Sequence, residues 1–224
     1  MTFKKILSLG ILLLLSLSFF GVTPIVLAAS SASDVPMKAP PLEEGKEYIT
    51  LPYTVSSQPP VVEFFSFYCG PCYQFINEYP VSDAINRALS EGKVTKYHVS
   101  LMGVLGNELT EAWAIAIVLE KTELLERPLF EAVRDGKLKG IEDIKSIFSQ
   151  FGIETEIYKK MQQTPSVKNT ITIQNAAIKK FKVKGTPSFY INGKYQINNS
   201  GIAATSSQTY VDNFAKAVKI LLSQ

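Results

Sequence analysis

Cys69 and Cys72 are the only cysteines in this 224-residue chain, and two residues separate them. They follow an apolar, β-branched and aromatic run at 61–66, which predicts a central strand, and precede a helical pattern of apolar residues over 73–90. Cysteines with this spacing at a helix start can close a disulfide, and the free N–H groups and the helix dipole favour a thiolate at the first. The pattern predicts a redox pair, with Cys69 as the exposed nucleophile of low pKa and Cys72 as the buried resolving thiol.

Two other uses of this cysteine pair are weaker. A zinc site needs two further ligands, and His98 is the only histidine in the chain, so we predict no metal. An inert structural disulfide is possible in an exported protein, but a loop this short adds little to stability. We therefore favour redox chemistry that needs no cofactor. We interpret His98 as a core or edge residue rather than a catalyst.

The first 28 residues have the pattern of a secretory signal peptide. A basic start with Lys4 and Lys5 precedes an apolar run over 6–20, and small residues surround a cleavage point after Ala28. A membrane anchor is the alternative, because the apolar run is long for a signal. Removing 28 of 224 residues leaves 196, and losing the two lysines lowers the formal net charge from +3 to +1. So small a charge argues against nucleic-acid binding.

After residue 28, the predicted secondary structure changes twice along the chain, from a strand–helix–strand pattern to a run of helices and back to strands. Residues 29–43 have no apolar period and are predicted to be a flexible lead-in. The predicted strands lie at 48–51, 61–66, 94–100, 188–191 and 194–197, and the last two flank the hairpin signal Asn192-Gly193. Helical patterns occupy 73–90, 108–120, 128–135, 141–151, 154–163, 166–181 and 206–222. This order predicts an α/β domain interrupted by a helical insertion.

Gly185-Thr186-Pro187 stands just before the predicted hairpin. A cis Thr186–Pro187 bond would turn the chain beside the cysteine pair and leave the Thr186 backbone free to pair with an extended substrate. An ordinary turn is the usual meaning of Thr-Pro, but after a Cys-x-x-Cys motif in this α/β pattern we favour the cis isomer.

Several segments together resemble the DsbA family of periplasmic thiol:disulfide oxidoreductases. They are FFSFYCGPCYQF at 64–75, TKYHV at 95–99, LTEAWAIA at 109–116, GTP at 185–187 and INGKYQIN at 191–198. The resemblance runs in the same order from about residue 44 to the C-terminus. It implies a thioredoxin fold with an inserted all-helical domain, divided here as 44–100, 101–175 and 176–224.

The resemblance also implies roles for individual residues. Glu63 and Lys96 match a charged pair beneath the disulfide, and a carboxylate there could take the proton of Cys72. A surface ion pair is the alternative, although Glu63 stands in an otherwise apolar strand. The candidate substrate-binding residues are Thr186, Pro187, Gly70 and Pro71.

The expected activity is the introduction of disulfide bonds into exported proteins in the periplasm. The resemblance implies unfolded, cysteine-containing exported proteins as substrates and a DsbB-like, quinone-linked membrane oxidase that restores the disulfide. We expect a monomer that does not bind nucleic acid.

The residues between the cysteines depart from the family pattern. The best-known members have Pro-His, and this histidine is credited with stabilising the thiolate, whereas this chain has Gly70-Pro71. Cys69 should therefore have a higher pKa, and the disulfide should be harder to reduce. Gly70-Pro71 therefore favours one alternative to the oxidase, a disulfide reductase or isomerase. A second alternative, from another functional class, is a peptide-binding chaperone whose thiols are incidental.

Overall fold

The structure is a computed structural model and describes residues 41–224. The predicted signal peptide at 1–28 and most of the predicted flexible segment at 29–43 lie outside the described residues. Among the helices of residues 41–224, none has the length and apolar character needed to cross a membrane.

Five strands of the described residues form one mixed sheet. They are β1 (Tyr48–Thr50), β2 (Val61–Phe65), β3 (Thr95–His98), β4 (Ser188–Ile191) and β5 (Tyr195–Ile197). Their order across the sheet is β1-β5-β4-β2-β3, with β2 and β3 parallel and each other pair antiparallel. All five residues of β2 are buried, so its uninterrupted apolar character reflects a strand that is covered on both faces.

Helices connect the strands and fill the middle of the chain. Between β2 and β3 lie α1 (Gly70–Asn77) and α2 (Val81–Ala88), and α8 (Ser207–Leu222) follows a short 3-10 turn at Asn199–Gly201. Between β3 and β4 lie α3 (Gly106–Val118), α4 (Thr122–Arg134), α5 (Ile141–Gln150), α6 (Thr155–Gln162) and α7 (Pro165–Lys180). The structure thus has the predicted α/β order with a helical insertion.

The predicted hairpin between β4 and β5 is present. Asn192 and Gly193 both have positive φ, 51° and 62°, as a type I′ turn requires. A Cβ on Gly193 would lie 2.0 Å from the carbonyl oxygen of Val55. Glycine is therefore required here for close backbone approach as well as for its conformation.

The helix predicted over 73–90 is two helices in the structure. α1 ends at Asn77 and α2 begins at Val81, with Pro80 as the N-cap residue of α2. Because Pro80 has no N–H and restricts the residue before it, the chain leaves the helical path here instead of bending within one helix.

The helix predicted to begin at Pro128 begins six residues earlier, at Thr122. Proline favours the first turn of a helix, which is why the sequence pattern places it there. In the structure Pro128 lies inside α4, while Leu125 and Leu129 on either side are fully buried. Burial of these side chains keeps the first turns helical although one backbone hydrogen bond is missing.

Helix α7 runs through the predicted boundary between 175 and 176. Near its start, Val167 lies in the apolar cluster of the inserted helices. Directly after its end, Phe181 packs on the sheet, with its ring centroid 4.6 Å from that of Tyr190 and 5.5 Å from that of Phe64. The helix is therefore shared by the insertion and the sheet.

Side chains of the insertion close the β3 edge of the sheet. The Trp113 indole N–H donates to the carbonyl oxygen of Lys96 over 2.9 Å. The backbone N–H of His98 donates to the Gln174 side-chain oxygen, also over 2.9 Å. Backbone groups that an edge strand would otherwise leave unpaired are thus satisfied by α3 and α7.

Candidate active site

Cys69 and Cys72 form a disulfide at the start of α1, with their Cα atoms 5.2 Å apart. Cys69 is the N-cap residue of this helix, and the backbone N–H of Cys72 donates to the Cys69 sulfur over 3.2 Å. When the disulfide opens, this N–H and the positive helix end stabilise negative charge on Cys69.

The prediction that Cys69 is exposed is wrong for the disulfide form. Cys69 is 4% exposed and Cys72 is 1% exposed. The Cys69 sulfur lies 3.3 Å from the carbonyl oxygen of Thr186, and both cysteines belong to a buried cluster that includes Phe67. An attacking group must therefore approach between α1 and the Thr186 loop.

The four candidate substrate-binding residues lie in two segments. Gly70 and Pro71 are the exposed first residues of α1, while Thr186 and Pro187 are half-buried and directly precede β4. The Thr186–Pro187 peptide bond is cis. The Thr186 carbonyl is the group of the second segment in contact with Cys69.

Asn199, which the sequence analysis did not single out, supports this loop from behind. Its side-chain amide donates to the carbonyl oxygen of Pro187 over 2.9 Å, and the Tyr210 hydroxyl donates to the Asn199 carbonyl oxygen over 3.0 Å. Asn199 lies outside every predicted strand and helix, and no local sequence signal indicated this contact.

An exposed apolar loop borders the same site. Leu101 is 83% exposed and Val104 is 88% exposed, values high enough to suggest a contact surface. Between them, the Met102 sulfur lies 3.8 Å from the Thr186 hydroxyl. Tyr68 directly precedes Cys69 in the chain. Its hydroxyl accepts a hydrogen bond from the backbone N–H of Leu105.

An aromatic cluster holds the cysteine segment against the insertion. The Phe67 ring centroid is 4.9 Å from that of Phe130 and 5.7 Å from that of Trp113. Phe65 on β2 lies 5.1 Å from both Phe67 and Trp113. These edge-to-face contacts are favourable for aromatic rings and connect α3 and α4 to the residues just before Cys69.

His98 is fully buried and joins three elements through its ring nitrogens. Its Nε2 accepts from the backbone N–H of Phe67 over 3.2 Å, and its Nδ1 lies 2.8 Å from the Thr110 hydroxyl. That hydroxyl donates to the Gly106 carbonyl oxygen over 3.0 Å, so Nδ1 carries the proton and the imidazole is neutral. Burial lowers the pKa of His98 to about 3.

Glu63 and Lys96 form an ion pair, with 3.2 Å between the Lys96 ammonium nitrogen and a Glu63 carboxylate oxygen. Glu63 is 2% exposed, and the Ser82 hydroxyl donates to the same oxygen over 2.7 Å. A second carboxylate, Glu126 on α4, lies 2.5 Å from the same ammonium. Glu126 was not predicted as a site residue, because the helical pattern of the sequence begins only at Pro128.

The other charges of this cluster shift the pKa values of Lys96 and Glu126. Burial alone would lower the pKa of Lys96, but attraction to Glu63 and Glu126 outweighs burial and raises it. Burial raises the pKa of Glu126, and repulsion from Glu63 adds to this effect against the attraction of Lys96. The ammonium is therefore firmly charged, and Glu126 is a carboxyl group that protonates more readily than an exposed one.

Alkylation of the reduced protein should modify Cys69 first. Cys69 has the N–H of Cys72 directed at its sulfur, whereas Cys72 is one turn inside α1 and more deeply buried. With iodoacetamide at neutral pH and peptide mass mapping, we expect Cys69 to react about tenfold faster or more. Preferential labelling of Cys72 would reverse the two assigned roles.

Comparison with known proteins identifies the family of this site. The family model described as a DSBA-like thioredoxin domain matches residues 60–219. "Thiol:disulfide interchange protein DsbA" from Dickeya dadantii is 41% identical over 183 residues, which is 81% of this chain and 88% of that protein.

Two solved structures are also similar. DsbA from Klebsiella pneumoniae has 44% identity and a TM-score of 0.80, and the match covers 83% of this chain and all of that one. Proteus mirabilis DsbA with a non-covalently bound peptide, PWATCDS, has 34% identity and a TM-score of 0.79, with coverage of 83% and 100%. The matches confirm the predicted thioredoxin fold with a helical insertion, and the chain belongs to the DsbA family of thioredoxin-fold proteins.

Proposed function

We propose that this chain is a thiol:disulfide oxidoreductase that introduces disulfide bonds into exported proteins through the Cys69–Cys72 pair. The observation that carries the proposal is the Cys69 sulfur at the start of α1, between the N–H of Cys72 at 3.2 Å and the Thr186 carbonyl oxygen at 3.3 Å. The relatives named thiol:disulfide interchange protein support the same activity.

The reaction has two exchange steps. A substrate thiolate attacks the Cys69 sulfur, the Cys69–Cys72 bond breaks, and Cys72 leaves as a thiolate that takes up a proton. The second substrate thiolate then attacks the substrate sulfur of the mixed disulfide, and Cys69 leaves as a thiolate. The substrate loses two electrons to the cysteine pair, which ends as a dithiol.

Extended, unfolded protein segments fit this site as substrates. Thr186 presents main-chain groups beside Cys69, and pairing with them does not depend on substrate sequence. The exposed Leu101, Met102 and Val104 offer apolar contacts on one side, while Gly70 and Pro71 line the approach on the other. The peptide bound to Proteus mirabilis DsbA supports this substrate class.

Glu63 is proposed as the group that exchanges a proton with Cys72, and Lys96 as the cation that keeps this carboxylate in place. Both are in or next to β2, the strand that leads to the cysteine pair. Because Cys72 alternates between a bonded sulfur and a thiol, a proton must enter or leave its surroundings in each catalytic cycle.

The cellular setting is proposed from the family and the sequence pattern together. After cleavage of residues 1–28, the enzyme works in the periplasm as a monomer. A DsbB-like, quinone-linked membrane oxidase restores the disulfide. The thioredoxin-like parts at 44–100 and 176–224 hold the redox pair, and the insertion at 101–175 covers it.

The test of the function starts from the oxidised protein and a reduced, unfolded substrate with two cysteines. An oxidase should convert the substrate thiols to a disulfide in stoichiometric amounts, as counted by alkylation and mass spectrometry after an acid quench. Equilibrium with a glutathione redox buffer then gives the potential. An unchanged substrate, with the protein still oxidised, would reject the oxidase function. Gly70-Pro71 favours the reductase alternative, which a strongly reducing potential would support.

Replacing Pro71 with histidine should make the protein a stronger oxidant. Pro71 is exposed in the first turn of α1, and a hydrogen-bond donor or cation there stabilises the Cys69 thiolate and hence the reduced form. We expect the potential to rise by about 30 mV or more, equivalent to about 1.4 kcal/mol for a two-electron couple.

Glutathione equilibria measure this change, and Pro71→Ser is the matched control that removes proline without adding a cation. A potential that is unchanged or lower in Pro71→His than in Pro71→Ser would contradict the argument.

A further inference from the structure

Glu126 has a half-buried carboxylate that takes no part in the reaction proposed above. It comes from α4 of the insertion, yet it lies 2.5 Å from the ammonium of Lys96, which also pairs with Glu63 at 3.2 Å. The ammonium group of Lys96 therefore forms ion pairs with two carboxylates. If both were ionised the buried cluster would carry a net charge of −1, and burying an uncompensated charge is unfavourable. The cluster favours one added proton.

The three charged side chains of this cluster differ in their exposure to solvent. The Glu63 side chain is 3% exposed, that of Lys96 is 14% and that of Glu126 is 18%. Lys96 and Glu126 line two open clefts, of about 690 and 300 Å³, whereas Glu63 lines neither. Glu126 is thus the carboxyl group of the cluster that faces solvent.

The smaller cleft leads back toward the redox helix. Its walls include Phe75 and Ile76 of α1 as well as Lys96 and Glu126. These two α1 residues follow Cys72 by three and four positions, so they lie on the same face of the helix as Cys72. A cleft of 300 Å³ has room for about ten water molecules. The cleft therefore extends from Glu126 to the α1 side chains that lie one turn after Cys72.

We infer that Glu126 is a positioning residue that holds the proton exchanged with Cys72 on the solvent side of the charged cluster. The inference rests on the proposed function. When substrate thiolate breaks the Cys69–Cys72 bond, the Cys72 thiolate takes a proton from Glu63. Glu63 recovers it from the Glu126 carboxyl group, and Glu126 is protonated again from solvent through the clefts. Each transfer moves one proton and no electrons.

Burial raises the pKa of Glu126, and the negative charge of Glu63 adds to this effect against the attraction of Lys96, so Glu126 keeps its proton to a higher pH than an exposed carboxyl group does. The charged and titratable groups that face Glu126 or line the two clefts are Glu63 on β2, Asp83 on α2, Lys93 before β3, Lys96 and Tyr97 on β3, Glu120 after α3, and Glu123 and Arg127 on α4. Glu123 is the matched control, because it lines both clefts but its side chain is 79% exposed and pairs with Lys93.

The experiment measures how fast glutathione opens the disulfide of the oxidised full-length mature protein between pH 4.5 and 8. Rate constants are divided by the glutathione thiolate fraction, so that only protein groups contribute to the remaining pH dependence. In the wild type we expect the normalised rate to fall about tenfold as Glu126 ionises with rising pH. This is less than the 10²–10⁴ typical of general acid catalysis, because Glu63 remains.

Glu126→Gln should remove this pH step, so that its normalised rate at pH 5 is as low as that of the wild type at high pH. Glu126→Asp, which keeps a carboxyl group, should show the step again. Glu123→Gln should match the wild type. Circular dichroism and urea unfolding confirm that each variant is folded, and the shape of the pH profile separates proton exchange from a general loss of structure. The same step in Glu126→Gln, or its loss in Glu123→Gln, would overturn the inference. A wild type that does not react with glutathione would instead count against the proposed function.

Discussion

Cys72→Ser should abolish the oxidation of substrate thiols, and the Cys69 thiolate of the variant should become trapped as a mixed disulfide when it attacks a disulfide such as oxidised glutathione. Cys69 keeps its place at the helix start, with the N–H of residue 72 directed at its sulfur. It still reacts with a disulfide, but no second thiol is present to resolve the product. Incubation with oxidised glutathione should therefore give a protein–glutathione adduct that accumulates and persists, as measured by mass spectrometry.

Cys69→Ser is the matched variant for this experiment. The remaining Cys72 is 1% exposed and one turn inside α1, so its adduct should form at least about tenfold more slowly. The variant with both cysteines changed to serine is the blank. Equal adduct formation by the two single variants would contradict the assignment of Cys69 as the nucleophile. A double variant that still assists substrate refolding would support the chaperone alternative.

Acid should destabilise the protein through His98. Burial lowers the pKa of His98 to about 3 in the folded chain, whereas the unfolded chain has a value of about 6.5. Between these values the unfolded state binds more protons, so the stability contributed by neutral His98 is fully present above pH 6.5 and is lost as pH falls toward 3. The loss is about 2 kcal/mol by pH 5 and about 4 kcal/mol by pH 3.

The hydrogen bonds of His98 also predict that its protonation lowers the stability of the folded state. A protonated ring could not accept from the N–H of Phe67, which would leave that buried donor unpaired. His98 is the only histidine of the chain, and most carboxyl groups stay ionised from pH 7.5 to 5, so the loss of stability over this range is assigned to His98. Protonation of Glu126, whose pKa is raised in the folded chain, acts in the opposite direction. Urea unfolding curves at several pH values measure it.

His98→Gln is the comparison for this prediction. Glutamine cannot titrate, so the variant should be less stable at pH 7.5 but should lose little further stability on going to pH 5. If wild type and His98→Gln lost the same free energy of unfolding over this range, other groups would be responsible and the prediction would be wrong.

The parts of the structure that could be predicted depend on short-range signals. Cys69 and Cys72 are one helical turn apart and adjoin an apolar strand, and Asn192-Gly193 needs only its two neighbouring strands to specify a turn. Such features are determined by residues close in sequence, so periodicity and turn chemistry are sufficient to locate them.

The parts that could not be predicted depend on distant residues. The Thr186 carbonyl that helps to bury Cys69 is 117 positions away from it, and Glu126 meets Lys96 across 30 positions. The local sequence pattern also gave the wrong start for the helix that carries Glu126, because proline is usually found in the first turn of a helix and Pro128 lies inside this one. Contacts of this kind require the packing of the insertion on the sheet, which no single segment encodes.

If the substrates are unfolded proteins, as proposed above, the enzyme works among chain segments whose backbone hydrogen-bonding groups are unpaired. Unpaired backbone N–H and C=O groups along β3 would allow such segments to pair with the sheet as an added strand. The enzyme could then co-aggregate with its substrates. Trp113 and Gln174 already occupy the carbonyl of Lys96 and the N–H of His98. On the proposed function, the inserted helices therefore limit strand addition along β3, and unfolded substrates bind instead at the disulfide end of the molecule.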